Sequence, residues 1–152
     1  MKVSIDTCVL LDLLLDQNEE SVLNLRKCMD RRDELVICTM VFGELCPFFS
    51  GQEKALKQFL AEMDIRIEDC LEEDFAHAGG KWYEYLKRHC FVCPACGKAI
   101  QMTCPHCHQP IRFRQHILAD FVIGAFSELR CDAILTRDYG YYRTYFPELR
   151  HL

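Results

Sequence analysis

The stretch Lys2-Val3-Ser4-Ile5-Asp6-Thr7-Cys8-Val9-Leu10-Leu11-Asp12 decides how the rest of the chain is read. Val3 and Ile5 are branched and apolar, and they run directly into an acid and then an amphipathic run. A short apolar strand that stops at a carboxylate and turns into a helix is the layout of an α/β sheet. In such sheets ligands and chemistry collect at the carboxyl ends of parallel strands. Asp6 also suits the N-cap of a helix beginning near Thr7, and taken alone that is the simpler role. Three further acids at comparable points down the chain turn the reading toward a site.

The strand-then-helix pattern recurs. Leu35-Val36-Ile37-Cys38 and Ala133-Ile134-Leu135-Thr136 read as buried strands, and Ile65-Arg66-Ile67 as a short alternating one. Helices are expected over 19–29, over a segment capped by Thr39 and carrying Val41, Leu45, Phe48 and Phe49, and over 53–63. The longest is expected over 71–89, with Leu71, Phe75, Ala78, Trp82 and Leu86 on its buried face despite Gly79-Gly80. Another is expected over 115–129, with Ile117, Leu118, Phe121, Val122 and Ala125 inward. Strands alternating with helices predict a three-layer α/β fold with a parallel sheet. Composition breaks sharply at Cys90: residues 90–114 are rich in Cys, His and Pro and poor in large aliphatics. The expected organisation is one domain formed by 1–89 and 115–152, with 90–114 inserted.

A chain of 152 residues buries a proper core in one domain. The apolar run Val9–Leu15 is short and interrupted by Asp12, so neither a signal peptide nor a membrane span is expected. Eleven cysteines without an export signal point to reduced thiols and a cytoplasmic protein. Cys8, Cys28, Cys38, Cys46, Cys70 and Cys131 lie mostly in apolar surroundings, where a free thiol packs as a small hydrophobe. The net charge of −5 hides an asymmetry, because Lys87, Arg88, Lys98, Arg112 and Arg114 fall in a segment with no acid. Such a patch is either a nucleic-acid footprint or a solvated surface.

The four acids are Asp6, Glu44, Asp120 and Asp138. Two follow strands and two lie in the first turns of helices, so a parallel sheet brings all four toward one edge. Converging carboxylates repel unless a cation neutralises them. Oxygen ligands of this hardness suit Mg²⁺ or Mn²⁺, and the chemistry that follows is metal-assisted phosphodiester hydrolysis. Thr7 and Thr136 stand where they would orient the carboxylates. Asp12, Asp16, Glu19 and Glu20 read as solvated helix surface, and His116 as a surface histidine one turn before Asp120. Arg137 and Arg143 flank Asp138, either to hold substrate phosphate or to pair with the acids. The aromatic tail from Tyr139 to Phe146 either stacks bases or packs on the sheet.

Ser4-Ile5-Asp6-Thr7-Cys8-Val9-Leu10-Leu11-Asp12, Gly43-Glu44-Leu45, Ala119-Asp120-Phe121-Val122-Ile123-Gly124-Ala125 and Asp132-Ala133-Ile134-Leu135-Thr136-Arg137-Asp138 together resemble the four motifs of PIN-domain nucleases. The likeness is greatest to the toxin ribonucleases of VapBC toxin–antitoxin pairs, and the ending Tyr141–Leu149 resembles theirs too. The resemblance implies a PIN-like fold and a Mg²⁺- or Mn²⁺-dependent endoribonuclease with Asp6, Glu44, Asp120 and Asp138 as its acidic cluster. It also implies a homodimer and an antitoxin whose tail covers the active site. The chain departs from the pattern at Cys8, where many members carry Asn or Ser. It departs again at Gly140 and Tyr141, where many carry a further acid.

Within the insert, Cys93-Pro94-Ala95-Cys96 and Cys104-Pro105-His106-Cys107 form C-x2-C-x7-C-x2-C. Two such turns facing each other make a tetrahedral four-thiolate site that selects Zn²⁺, and a closed site of this kind is structural. The resulting zinc ribbon either grips RNA phosphates through Arg88, Arg112 and Arg114, or caps the domain or widens a dimer interface. The expected function is a metal-dependent endoribonuclease, the toxin of a toxin–antitoxin pair. The alternatives are a ribosomal-RNA-processing nuclease and a non-catalytic zinc-ribbon module that binds RNA or protein.

Overall fold

Each core strand follows from a run that is apolar on both faces, which only a sheet covered by helices on both sides satisfies. The computed structural model describes residues 1–152 except 88–90, 93–95, 97, 101 and 112–115. In chain order its first half runs β1 (Lys2–Ile5), α1 (Thr7–Leu15), α2 (Glu19–Asp30), β2 (Glu34–Cys38), α3 (Thr39–Leu45), α4 (Glu53–Glu62), β3 (Ile65–Glu68) and α5 (Glu72–Leu86). Two short hairpins follow, β4 (Phe91–Val92) with β5 (Ala99–Ile100) and β6 (Met102–Thr103) with β7 (Pro110–Ile111). The chain closes with α6 (Leu118–Arg130), β8 (Ala133–Leu135) and α7 (Tyr139–Tyr145).

The four long-range strands pair in parallel in the order β3-β2-β1-β8. This puts β1 in the centre, with Val3 against Leu35 on one side and Ala133 on the other. Val3, Ile5, Val36, Ile37 and Ile134 are fully buried between the helix layers. Past β8 the chain's end extends the edge: Ile134 N donates to Arg150 O (2.8 Å) and Leu152 N to Ile134 O (3.0 Å). No described helix is long and apolar enough to cross a membrane. Every described cysteine is a free thiol, and Cys28 and Cys38 are buried in the core.

Four local expectations are corrected. Thr39 is the first residue of α3 and not its cap; its hydroxyl accepts from Cys70 N at 3.3 Å. Helix α3 gives way at Cys46 to a 3-10 turn over Cys46–Phe49, because Pro47 has no N–H to continue the ladder, and Phe48 is exposed. Helix α5 is rotated from the expected face: Leu71 and Phe75 are exposed, and Asp74 and Ala78 are buried instead. Asp74 is held there by its own helix end and by α6. Its Oδ2 accepts from Leu71 N (2.7 Å), and Arg130 Nε lies 2.9 Å from both of its oxygens. Helix α6 begins at Leu118 and leaves Ile117 and Leu118 exposed, with residue 115 outside the described residues.

Candidate active site

Asp6 occupies the N-cap position of α1, yet its side chain makes no cap hydrogen bond. The carboxylate turns instead toward the neighbouring strand end. Its Oδ2 accepts from Thr136 Oγ1 (2.7 Å) and from the Cys8 thiol (3.1 Å), and Asp6 is 9% exposed. The turn is possible because β1 and β8 are adjacent and parallel, so the residues after Ile5 and Leu135 emerge at one edge. Thr136 is buried and serves both sides: its oxygen also accepts from Asp138 N (3.0 Å).

Glu44 reaches the same edge from α3, which follows β2 on the other flank of β1. Thr7, at the start of α1, donates its hydroxyl to Glu44 Oε2 in a short hydrogen bond. Asp120 is the third residue of α6, and its Oδ2 accepts from Ile117 N (2.7 Å), closing the helix end. His116 is half-buried, with Nδ1 3.6 Å from the same Asp120 oxygen and its ring stacked on Tyr141 at 4.1 Å between centroids. Asp138 is exposed and caps α7, accepting from Tyr141 N through Oδ1 (3.3 Å).

The electrostatics tie three of these acids together. Burial, with the charge of Asp120 adding to it, pushes the Asp6 carboxyl above the ordinary range, against the lowering by Thr136 and Cys8. Burial likewise raises Glu44, and Asp120 and Asp6 both add to the rise. The Cys8 thiol is pushed up to about 12 by burial and by the Asp6 carboxylate, so it stays a neutral donor. Asp138 stands apart from this mutual repulsion, although its charge, with those of Asp120 and Asp6, bears on Tyr141. Among the described residues no three acid, His or Cys side chains close around a point tightly enough to enclose a cation as they stand. Oxygens of Asp6, Glu44 and Asp120 are instead held by Thr136, Thr7 and the Ile117 amide.

Sequence reasoning missed one acid here. Asp12 is fully buried, with Arg137 Nη1 3.0 Å from its Oδ1 but outside hydrogen-bonding alignment. The signal was present in Leu10, Leu11, Leu13 and Leu14: a helix apolar on every side leaves no solvated face for an acid between them. Arg137 is thereby paired with Asp12 and not with the four acids, whereas the exposed Arg143 lies over the Tyr139 ring at 5.8 Å. Tyr141, Tyr142, Tyr145 and Phe146 are buried against Phe121 and one another, so packing accounts for their rings. Arg88, Arg112 and Arg114 lie outside the described residues.

No family model matches the sequence, and no curated protein does. Among solved structures, the chain is similar to a crystal structure of VapBC2 from Rickettsia felis bound to a DNA fragment from its promoter. The match has a TM-score of 0.64 at 13% identity and covers 100% of this chain and 98% of that one. The fold is PIN-like.

In this PIN-like fold the hairpins β4–β5 and β6–β7 stand between α5 and α6, and each carries one Cys-Pro-x-Cys segment between its strands. In the second hairpin Cys104 N donates to Gln109 O (2.8 Å) and His108 N to Cys104 O (2.9 Å), folding the segment into a tight turn in which His108 has φ +56°. The backbone N–H groups of Cys107 and His106 hydrogen-bond the Cys104 sulfur and lower its pKa, which favours the thiolate a soft metal takes. Cys96 and Cys107 are exposed; Cys93 lies outside the described residues.

Proposed function

We propose that the chain is a metal-dependent endoribonuclease that hydrolyses RNA phosphodiester bonds at Asp6, Glu44, Asp120 and Asp138, and that it is the toxin of a toxin–antitoxin pair. The observation that carries this reading is the mutual repulsion of Asp6, Glu44 and Asp120 at the carboxyl edge of a parallel sheet. Carboxylates raised by burial and by each other call for a proton or a cation, and all-oxygen donors fit Mg²⁺ or Mn²⁺. Such a cation, when bound, supplies charge neutralisation and Lewis acidity to the phosphodiester.

The chain's own residues supply orientation. Thr136 aims Asp6, Thr7 aims Glu44 and the Ile117 amide aims Asp120, each through a hydrogen bond that leaves another carboxylate oxygen for the cation. Arg143 is exposed beside Asp138 and is the described arginine best placed to receive RNA phosphate. A structural zinc at Cys93, Cys96, Cys104 and Cys107 fits the paired hairpins and the thiolate-favouring amides at Cys104. The fold shared with a VapBC2 assembly supports an antitoxin partner, and with it a homodimer.

The test is cleavage of a pool of single-stranded and structured RNA with added Mg²⁺ or Mn²⁺, comparing wild type with Asp120→Asn while zinc content is measured in both. Cleavage abolished by the substitution with zinc retained supports the reading. Cleavage that survives it sinks the assignment of the site.

A further inference from the structure

Tyr141 has a ring that packing explains and a hydroxyl that packing does not. The ring stacks on His116 and meets Phe121 edge-on at 5.3 Å, and the residue is 5% exposed. Phe121 and Phe146 fill the same cluster without a hydroxyl, so a phenyl ring suffices for the apolar role. The Tyr141 hydroxyl is itself buried and finds no hydrogen-bond partner among the described residues. It nonetheless lies within the electrostatic reach of Asp120, Asp138 and Asp6, three of the four acids of the proposed site. A desolvated donor left unpaired is unfavourable, and such groups in a native fold call for an explanation.

We infer that the Tyr141 hydroxyl donates a hydrogen bond to a non-bridging phosphate oxygen of the RNA held at this carboxylate edge, as a catalytic residue of the hydrolysis. The inference rests on the nuclease reading above. Burial, then the charge of Asp120, holds the phenol protonated far above neutral pH, so it serves as a donor and not as a base. A neutral donor is also what an acidic edge lacks. The carboxylates repel a phosphate, and Arg137 is drawn to Asp12. A hydroxyl adds an attractive contact without competing for the cation. Phosphate oxygens gain charge as the attacking oxygen arrives, so the bond strengthens in the transition state.

The experiment is single-turnover cleavage of one RNA with Mg²⁺ by wild type, Asp120→Asn and Tyr141→Phe, with thermal melts of each. The expected result is an inactive Asp120→Asn and a Tyr141→Phe slowed by roughly 100-fold, the usual cost of one such donor. Its Tm should be unchanged or higher, and its Mg²⁺ dependence unchanged. An inactive Asp120→Asn beside a Tyr141→Phe of wild-type rate overturns the inference and leaves the nuclease reading standing. An active Asp120→Asn overturns both. If Tyr141→Phe also melts early, stereospecific phosphorothioate RNA decides the matter. The rate loss on replacing one non-bridging oxygen by sulfur should shrink in the variant, and an equal loss in both proteins overturns the inference.

Discussion

Asp6 shows how one side chain's orientation separates a structural acid from a chemical one. It stands where a helix cap is expected but gives its oxygen to Thr136 and Cys8, in the company of two other carboxylates. The raised pKa values set a sign. Because Asp6 and Glu44 hold their protons more tightly folded than unfolded, the folded state binds more protons between the ordinary values, 3.8 and 4.5, and the raised ones. Their contribution therefore favours the folded state at low pH and is lost as pH rises through that window. Melts of desalted protein without added divalent cation should show Asp6→Asn gaining on wild type as pH rises from about 4 to 7.5. Added Mg²⁺ at the upper pH should close that gap by stabilising wild type only. A difference independent of both pH and Mg²⁺ would show that these carboxylates are not poised for a cation.

At the scale of elements, α6 carries Asp120 and must lie close to the chain's end to hold it. Gly124 makes that approach possible: a Cβ there would run into Cε2, Cζ and Cδ2 of Phe146, whose ring is fully buried and has nowhere to retreat. Gly124→Ala should therefore destabilise the fold by about 1–3 kcal/mol, despite alanine's better helix propensity, because the core has no slack for the displaced ring. Thermal or urea unfolding checks it. A more stable variant would mean that the tail is not packed on α6 as described. The buried face of α5 is a second case in which packing overrode pattern. Arg130 of α6 draws Asp74 inward by an ion pair, and Leu71 and Phe75 are turned out.

For the whole molecule, the question is how far the hairpins and the PIN-like fold depend on each other. No described residue between Leu86 and Leu118 belongs to the buried core, which runs from Val3 through Ala78 and resumes at Phe121. The sheet and its helices are thus held without the hairpins, while two-residue strands hold little by themselves. A metal is the natural source of their stability. Cys104→Ser should abolish stoichiometric zinc by elemental analysis while preserving the far-UV circular dichroism and cooperative melting of the α/β fold. Zinc retained in the variant would remove Cys104 from the ligand set, and global unfolding would show that the core leans on the insert.

The strands were legible from sequence because β1, β2 and β8 are apolar on both faces, a pattern with few other homes in a short chain. The acids were visible as strand-end and first-turn residues, since position relative to a strand needs only local pattern. What stayed hidden shares one cause: which way a helix side chain points depends on what packs against it. Asp12 is buried because Arg137 and the sheet lie over it, and Asp74 because Arg130 does. Ile117 and Leu118 are exposed because Asp120 ends the helix by binding the Ile117 amide. The partnerless hydroxyl of Tyr141 belongs to the same class. Local periodicity determined the elements and their order. Contacts between residues far apart in the chain decided which polar atoms were left to do chemistry.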